Sequence, residues 1–286
     1  MKIIIPNPKN LEKLKVQIRK AGYQNLHVLS DFDRTLTYGA IDGVKTPSII
    51  SMIRDGNHLT KDYAQRAHAL FDKYHPIEVD SKIPLLKKKE AMQEWWETHN
   101  KLLIESGLSI SDLEDIVKNG HVKFREGVPE FLDFLHEHNI PLIILSASGC
   151  GDAIQLFFQK IGKDYSNILY VTNKFNWDKN GQALSAKSPI IHSMNKDETI
   201  LKKIPEVYKI IKSRKNVLLL GDGLGDLGMI EGFNYSTLLK VGFLNFDYDK
   251  DVESFKKQFD IILEGDGDFN YVNSLIILLL ALFSIF

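Results

Sequence analysis

One cysteine, Cys150, among 286 residues rules out a disulfide within the chain and any zinc site built from cysteines. Surplus charge is also missing: 36 Lys and Arg stand against 37 Asp and Glu, a formal net charge of −1. A nucleic-acid polymer is therefore not an expected partner, because binding one depends on cations that neutralise its phosphates. The basic run Lys87-Lys88-Lys89 reads as the solvated face of a helix. No apolar run reaches the about 20 residues that a membrane span requires. Leu275 to Phe286 is almost wholly apolar but too short, and reads as a buried terminal helix in preference to a membrane contact. Met1 to Asn10 is broken by Pro6 and Pro8 and lacks the apolar core and cleavage site of a secretory signal. A cytoplasmic location is the expectation from these features. Internal repeats are lacking too, and nothing in the pattern fixes an oligomeric state.

What is present is an alternation of short apolar runs with helical patterns. Leu26 to Leu29 runs into Ser30-Asp31, Pro141 to Leu145 into Ser146, and Val217 to Leu220 into Gly221-Asp222. Asn167 to Val171 is a further run, and Leu238 to Leu244 and Ile261 to Leu263 are shorter candidates. Runs that are apolar at every position suit strands buried on both faces, as in a parallel sheet covered by helices. The expected fold is α/β, a Rossmann-like doubly wound sheet whose ligands gather beyond the carboxyl ends of its strands. Residues 39–120 break the alternation with helical patterns alone, including Thr60 to Tyr74 and Lys87 to Glu105. Ser111 to Glu114 fits a capping box before one further helix. This region is expected to be a helical cap inserted after the first core strand, with residues 1–38 and 121–286 forming the core. Asn180-Gly181, between short flanks, predicts a hairpin over Phe175 to Ser185.

Four motifs stand at or near those strand ends. In Asp31-Phe32-Asp33-Arg34-Thr35, Asp31 can attack phosphorus as a carboxylate nucleophile. Asp33 can protonate the leaving oxygen and then activate water, with the Thr35 hydroxyl holding it in position. Ser146 and the backbone after it offer hydrogen bonds to phosphate oxygens. Lys196 can offset the repulsion between a phosphate and the Asp31 carboxylate. In Gly221-Asp222-Gly223-Leu224-Gly225-Asp226, Asp222 is the candidate ligand and Asp226 an orienting group. Several carboxylates and a phosphate in one pocket call for a hard cation, and Mg²⁺ takes one or two carboxylates plus phosphate oxygen.

Together these motifs resemble the haloacid dehalogenase superfamily of aspartate-nucleophile phosphatases. More narrowly, His27 to Asp33, Ile77-Glu78-Val79-Asp80, Glu94-Trp95-Trp96, Ser146-Ala147, Asn195-Lys196, Leu219 to Asp222 and Lys240 to Asn245 resemble the cytosolic 5′-nucleotidase III family. That resemblance covers most of the chain, from about Asn7 to Ser274. It implies hydrolysis of nucleoside 5′-monophosphates, pyrimidine ones or 7-methylguanosine monophosphate. It further implies that Asp31, the Asp33 main-chain carbonyl and Asp222 hold Mg²⁺. Ser146, Ala147 and Lys196 would surround the phosphate, and Glu78 would read the base from the cap.

The chain departs from that pattern in places. His99 stands where the family often has a small residue, and is expected either to contact the base or to fill space. Trp95-Trp96 resembles the methylguanosine-cleaving branch, although tryptophans in a helix also serve as core. The loop Ser148 to Gly151 is one residue longer than the pattern and brings Cys150 near the phosphate pocket, most simply as a passive neighbour. The rival readings are a phosphatase for another small phosphomonoester, such as phosphoserine, or a catalytically idle nucleotide-binding protein.

Overall fold

The structure, a computed structural model, describes residues 1–120, 122–232 and 234–280. Strand β1 (Lys2–Ile4) and helix α1 (Pro8–Ala21) lead to β2 (Leu26–Ser30). The two-residue strands β3 (Ala40–Ile41) and β4 (Val44–Lys45) follow, then α2 (Ile49–Asp55), α3 (Tyr63–Val79), α4 (Leu85–Glu105) and α5 (Ile110–Asn119). Next come α6 (Val128–Glu137), β5 (Leu142–Leu145), α7 (Asp152–Lys160), β6 (Ile168–Val171) and a hairpin of β7 (Phe175–Trp177) and β8 (Ala183–Ala186). The chain continues through α8 (Glu198–Leu201), α9 (Pro205–Ser213), β9 (Asn216–Gly221), β10 (Thr237–Leu244), α10 (Tyr248–Gln258), β11 (Ile261–Glu264) and α11 (Asn270–Leu280).

The main sheet has the order β1-β11-β10-β9-β2-β5-β6. All neighbours are parallel except β1, which runs antiparallel to β11 at the edge. The Rossmann-like α/β sheet expected from the sequence is therefore present. Its central strands β2, β5 and β9 are buried at every residue, which explains why they read as unbroken apolar runs. Successive side chains still go to opposite faces: Val28, Ile144, Leu218 and Leu220 pack into one cluster, Leu29, Ile143, Leu145 and Leu219 into another. Each such side chain contributes about 1.5–3 kcal/mol by leaving water, so a cut such as Ile144→Ala would be felt across the sheet.

The winding creates the site. From β2 the chain steps outward to β5 and β6, then crosses back to β9 on the other side of β2. Beyond the carboxyl ends of β2 and β9, two neighbouring strands that lead the chain in opposite directions, a crevice opens. The register sets its floor level, since Ser30 pairs with both Leu220 and Ile144. Asp31, Ser146 and Asp222 thus leave the sheet at nearly the same height.

Helices α2 to α5 occupy the span between β4 and α6, in agreement with the helical patterns of residues 39–120. The capping box sits two residues earlier than expected. Ser109 accepts the Asp112 N–H while the Asp112 side chain accepts the Ser109 N–H, so Ser111 is already inside α5. The chain enters and leaves this helical region by two adjacent crossings. Thr37 pairs antiparallel with Phe124, and the Tyr38 and Arg125 N–H groups donate to the Lys123 and Leu36 carbonyls, each over 2.9 Å. At the C-terminus, α11 buries Val272, Leu275, Ile276 and Leu279. The rest of the apolar stretch, residues 281–286, lies outside the described residues. No helix among the described residues is long and apolar enough to cross a membrane.

Candidate active site

Asp31 is the first residue beyond β2, and its N–H continues the sheet by donating to the Leu220 carbonyl of β9 (3.1 Å). The chain then turns sharply, with Arg34 in the left-handed region at φ 59°. That turn lets Asp33 face the same crevice as Asp31. Ser146 extends β5 in the same manner, its N–H donating to Val171 (3.1 Å), while its hydroxyl accepts the Ser148 N–H (3.1 Å). Asp222 follows β9 directly. Asp226 lies in the 3₁₀ turn Leu224–Ile230, and its Oδ2 accepts the N–H groups of Asp222 and Gly223, each at 3.1 Å. Gly221 makes this possible: a Cβ there would stand 2.5 Å from the Asp226 Cβ.

Lys196 joins the two acidic motifs. Its Nζ donates to Asp31 Oδ1 (2.7 Å) and to Asp226 Oδ1 (2.9 Å), and all three side chains are buried. Burial works against the lysine's charge, but the Asp31 and Asp226 carboxylates outweigh it and hold Lys196 above its ordinary value. Burial pushes the Asp31 carboxyl well up; Lys196 opposes that shift, and the Asp226, Asp222 and Asp33 carboxylates add to it. Burial also raises Asp33 to about 6, against the pull of Arg34 and Lys196. Asp222 is raised to about 7, first by burial and then by Asp226. The cluster carries more negative charge than its own cations offset.

That imbalance is what a divalent cation would correct. Asp31, Asp222 and Asp226 each offer a carboxylate oxygen within 4.8 Å of the others. The oxygens of Asp226 are engaged by Lys196 and by two backbone N–H groups, which makes it an anchor for its neighbours. Asp31 and Asp222 line the crevice and supply the hard oxygen donors that Mg²⁺ favours. The residues present fit the ion.

Above the carboxylates lies a cavity of about 540 Å³. Its core side includes Asp31, Asp33, Ser146, Ala147, Lys196, Asp222 and Asp226, all singled out from the sequence. Its other wall comes from the helical region and includes Ser48, Ile50, Glu78 and Trp96. Glu78, in the last turn of α3, accepts a hydrogen bond from the Ser193 hydroxyl on Oε1 and faces His75 Nδ1 with Oε2 (3.2 Å). Its main-chain carbonyl accepts a hydrogen bond from Lys88 Nζ (2.7 Å). Trp96 presses on the loop after β5, where a Cβ on Gly149 would meet its ring at 2.5 Å.

Two expected contacts are absent. The Thr35 hydroxyl does not hold Asp33; it is buried and has no hydrogen-bond partner among the described residues. His99 does not line the cavity. It stacks behind Trp96 (centroids 5.6 Å apart, planes at 14°) and its Nε2 pairs with the Tyr63 hydroxyl over 3.1 Å. Burial lowers its pKa to about 4, so it is neutral at physiological pH. Cys150 is fully buried, and burial pushes its thiol well up, which makes it a passive neighbour. The cavity also contains residues that the sequence did not single out for this site: Arg34, Thr37, Ser148 and Ser193. Ser148 carries a buried hydroxyl without a partner among the described residues. Its place two residues after Ser146 was the only available signal.

Comparison with known proteins gives the chain's family. A family model described as pyrimidine 5′-nucleotidase (UMPH-1) matches residues 34–280. The 7-methylguanosine phosphate-specific 5′-nucleotidase A of Xenopus laevis is 33% identical over 271 residues, 94% of this chain and 93% of that protein. The putative cytosolic 5′-nucleotidase 3 of Caenorhabditis elegans is 31% identical over 255 residues, covering 87% of this chain and 68% of its own length. Among solved structures, cytosolic 5′-nucleotidase IIIB bound to cytidine superposes with a TM-score of 0.84 at 25% identity, covering 97% of this chain and 93% of that one.

Proposed function

The chain belongs to the pyrimidine 5′-nucleotidase (UMPH-1) family, and from that premise we propose that it hydrolyses nucleoside 5′-monophosphates in a Mg²⁺-dependent reaction through an aspartyl-phosphate. The observation that carries this reading is the Lys196 bridge between Asp31 and Asp226 at the floor of a cavity walled on its far side by Glu78 and Trp96. Asp31, the Asp33 main-chain carbonyl and Asp222 would hold Mg²⁺, which when bound would draw charge from the transferring phosphoryl group.

The chain's own residues do the rest. The Asp31 carboxylate attacks phosphorus, and the bond from phosphorus to the 5′-oxygen breaks as the Asp33 carboxyl delivers its proton to that oxygen. Asp33, now a carboxylate, takes a proton from water; that water attacks the aspartyl-phosphate, releases phosphate and restores Asp31. A carboxyl raised to about 6 suits both halves of this exchange, since the efficient acid or base has a pKa near the working pH. Lys196 offsets the repulsion between the phosphate and Asp31, while Ser146 and Ala147 face the remaining oxygens.

Residues 39–120 act as a cap over a core of residues 1–38 and 121–286, and closure of the cap excludes water from the transfer. Glu78 accepts hydrogen bonds from base N–H donors. Trp96 offers an aromatic face, which suits a cationic methylated base as well as a pyrimidine. A cavity of about 540 Å³ with that wall is larger and more apolar than serine phosphate requires, which favours a nucleotide. A cytoplasmic place of action accords with the cytosolic relatives. The test is phosphate release from a panel of nucleoside monophosphates, 7-methylguanosine monophosphate and phosphoserine, with Mg²⁺ or EDTA. Release from one nucleotide group that EDTA abolishes is the expected result; activity on phosphoserine alone would refute the reading.

A further inference from the structure

Arg125 lies in neither the cavity nor any of the sequence motifs, yet it is a completely buried arginine. It stands where the chain returns from the helical region to the core, between Phe124 and the start of α6. Its guanidinium spends all its donors on fixed acceptors. Nε donates to the Thr35 carbonyl (2.9 Å), and Nη2 to the Arg34 carbonyl (2.6 Å) and Asn245 Oδ1 (2.8 Å). Nη1 donates to the Gly267 carbonyl (2.6 Å) and faces Asp266 Oδ1 at 2.9 Å. The plane of the group lies over the Phe243 ring, 4.8 Å from its centroid.

The partners of Arg125 extend the connection. Asn245, just beyond β10, also donates from Nδ2 to the Arg34 carbonyl (2.9 Å). Asp266 accepts the N–H groups of Gly39 (2.8 Å) and Ala40 (2.7 Å), where the chain leaves for the helical region. One ion pair, of a buried arginine and a half-buried aspartate, therefore grips the outgoing crossing at Gly39, the returning crossing at Arg125, and the backbone that follows Asp33. Arg34, whose carbonyl takes hydrogen bonds from both Arg125 and Asn245, is held in the left-handed region.

We propose that Arg125, through Asp266 and Asn245, is a positioning residue for phosphoryl transfer: it fixes the turn that aims Asp31 and Asp33 and ties that turn to both crossings into the helical region. The proposal rests on the reading of Asp31 and Asp33 given above. A planar fork is needed for the task. A lysine has three donors on one atom and cannot serve five acceptors spread over three separate segments. Loss of the clamp lets the turn drift, and misplacement of reacting groups by about 1 Å lowers a rate by roughly 100-fold. Phosphate binding draws mainly on Ser146 and Lys196, which Arg125 does not touch, so KM stays near its value.

The control is Arg214. It is also partly buried and also clamps carbonyls, those of Tyr23, Leu26 and Asn139, but at the amino ends of the strands. Steady-state kinetics of Arg125→Lys and Arg214→Lys, each measured well below its own melting temperature, separate aim from stability. We expect kcat of Arg125→Lys to fall by about 30- to 100-fold with KM changed less than about 3-fold, while Arg214→Lys melts earlier but keeps its kcat. Asn245→Ala, which removes one partner only, should lower kcat by about 10-fold and serves if Arg125→Lys does not fold. A kcat within about 3-fold of wild type in the Arg125 variant, or in Asn245→Ala where the first is unfolded, would overturn the proposal. The same ratios read with p-nitrophenyl phosphate keep this test independent of whether nucleotides are the true substrate.

Discussion

At the amino ends of the central strands, His27 and Arg214 are matched with backbone carbonyls, whereas at the carboxyl ends four carboxylates crowd around Lys196 and Arg34. At the amino end His27 Nδ1 meets the Arg214 carbonyl at 2.9 Å, and the Arg214 guanidinium satisfies three further carbonyls. His27 is held neutral, its pKa lowered by burial to about 4. At the carboxyl end Asp31, Asp33 and Asp222 are all raised, with burial the leading cause and neighbouring acids adding to the shift at Asp31 and Asp222. The same sheet provides both environments. The difference is that at one end buried charge meets backbone carbonyls, whereas at the other the carboxylates outnumber their cations. On the proposed reading, substitutions at the two ends should report on different things, function at the carboxyl ends and stability at the amino ends.

The largest contrast is expected from Asp31→Asn. Turnover should fall by more than about 1,000-fold, because an amide cannot form the aspartyl-phosphate. The circular dichroism spectrum should be unchanged. Substantial residual phosphatase activity would remove Asp31 from its assigned role.

Asp222→Asn should lower Mg²⁺-dependent kcat by about 100-fold and, unlike an ordinary core change, raise thermal stability in EDTA at pH 8 by about 2 kcal/mol. The sign follows from the folded value of about 7 lying above the unfolded 3.8. The penalty is fully present above pH 7 and is relieved as pH falls toward 3.8. Wild type in EDTA should therefore gain stability on going from pH 8 to about pH 6.5, and Mg²⁺ should raise its melting temperature at pH 8. An Asp222→Asn protein that melts lower in EDTA, or still gains as much from Mg²⁺, would break the contrast between the two ends.

Glu78→Ala tests the far wall of the cavity. KM for the preferred nucleotide should rise by about 10-fold, with p-nitrophenyl phosphate turnover within about 2-fold, since a lost hydrogen bond to the base is worth on the order of 1–2 kcal/mol. Equal effects on both substrates would deny Glu78 a role in reading the base.

The smallest effect belongs to the amino end. His27 has a folded value of about 4, below its ordinary 6.5, so the unfolded chain binds a proton that the folded chain refuses. Its contribution to stability is complete above pH 6.5 and is lost as pH falls toward 4, at up to about 1.4 kcal/mol per pH unit. Denaturant melts of His27→Gln should show a shallower decline than wild type below pH 6.5, with activity at pH 7.5 unchanged. A parallel decline would mean that His27 does not titrate on unfolding.

Much of this was legible in the sequence, for physical reasons that also explain the rest. Strands buried on both faces cannot hide, and the turn residues Asn180-Gly181 announce their hairpin directly. The acids at the strand ends were visible because a parallel sheet brings successive carboxyl ends together whatever lies between them. The edge strand β1 was not recognised, since three residues before Pro6 carry no periodicity and gain their pairing only from β11. The ribbon of β3 and β4 is shorter still. The Arg125–Asp266–Asn245 clamp left no local trace, because each member takes its meaning from partners 90 or more residues away. Thr35 shows the reverse error, in which proximity along the chain suggested a bond that the turn does not make.

Asp31 is expected to become phosphorylated during turnover, and borohydride trapping detects the phosphorylated form. Reduction of an acyl phosphate at position 31 yields homoserine, which peptide mass analysis detects. Homoserine is expected at position 31 in enzyme quenched during turnover, and none when substrate or Mg²⁺ is withheld. Enzyme that turns over nucleotide while Asp31 stays unmodified, with the label at another carboxylate or nowhere, would contradict it.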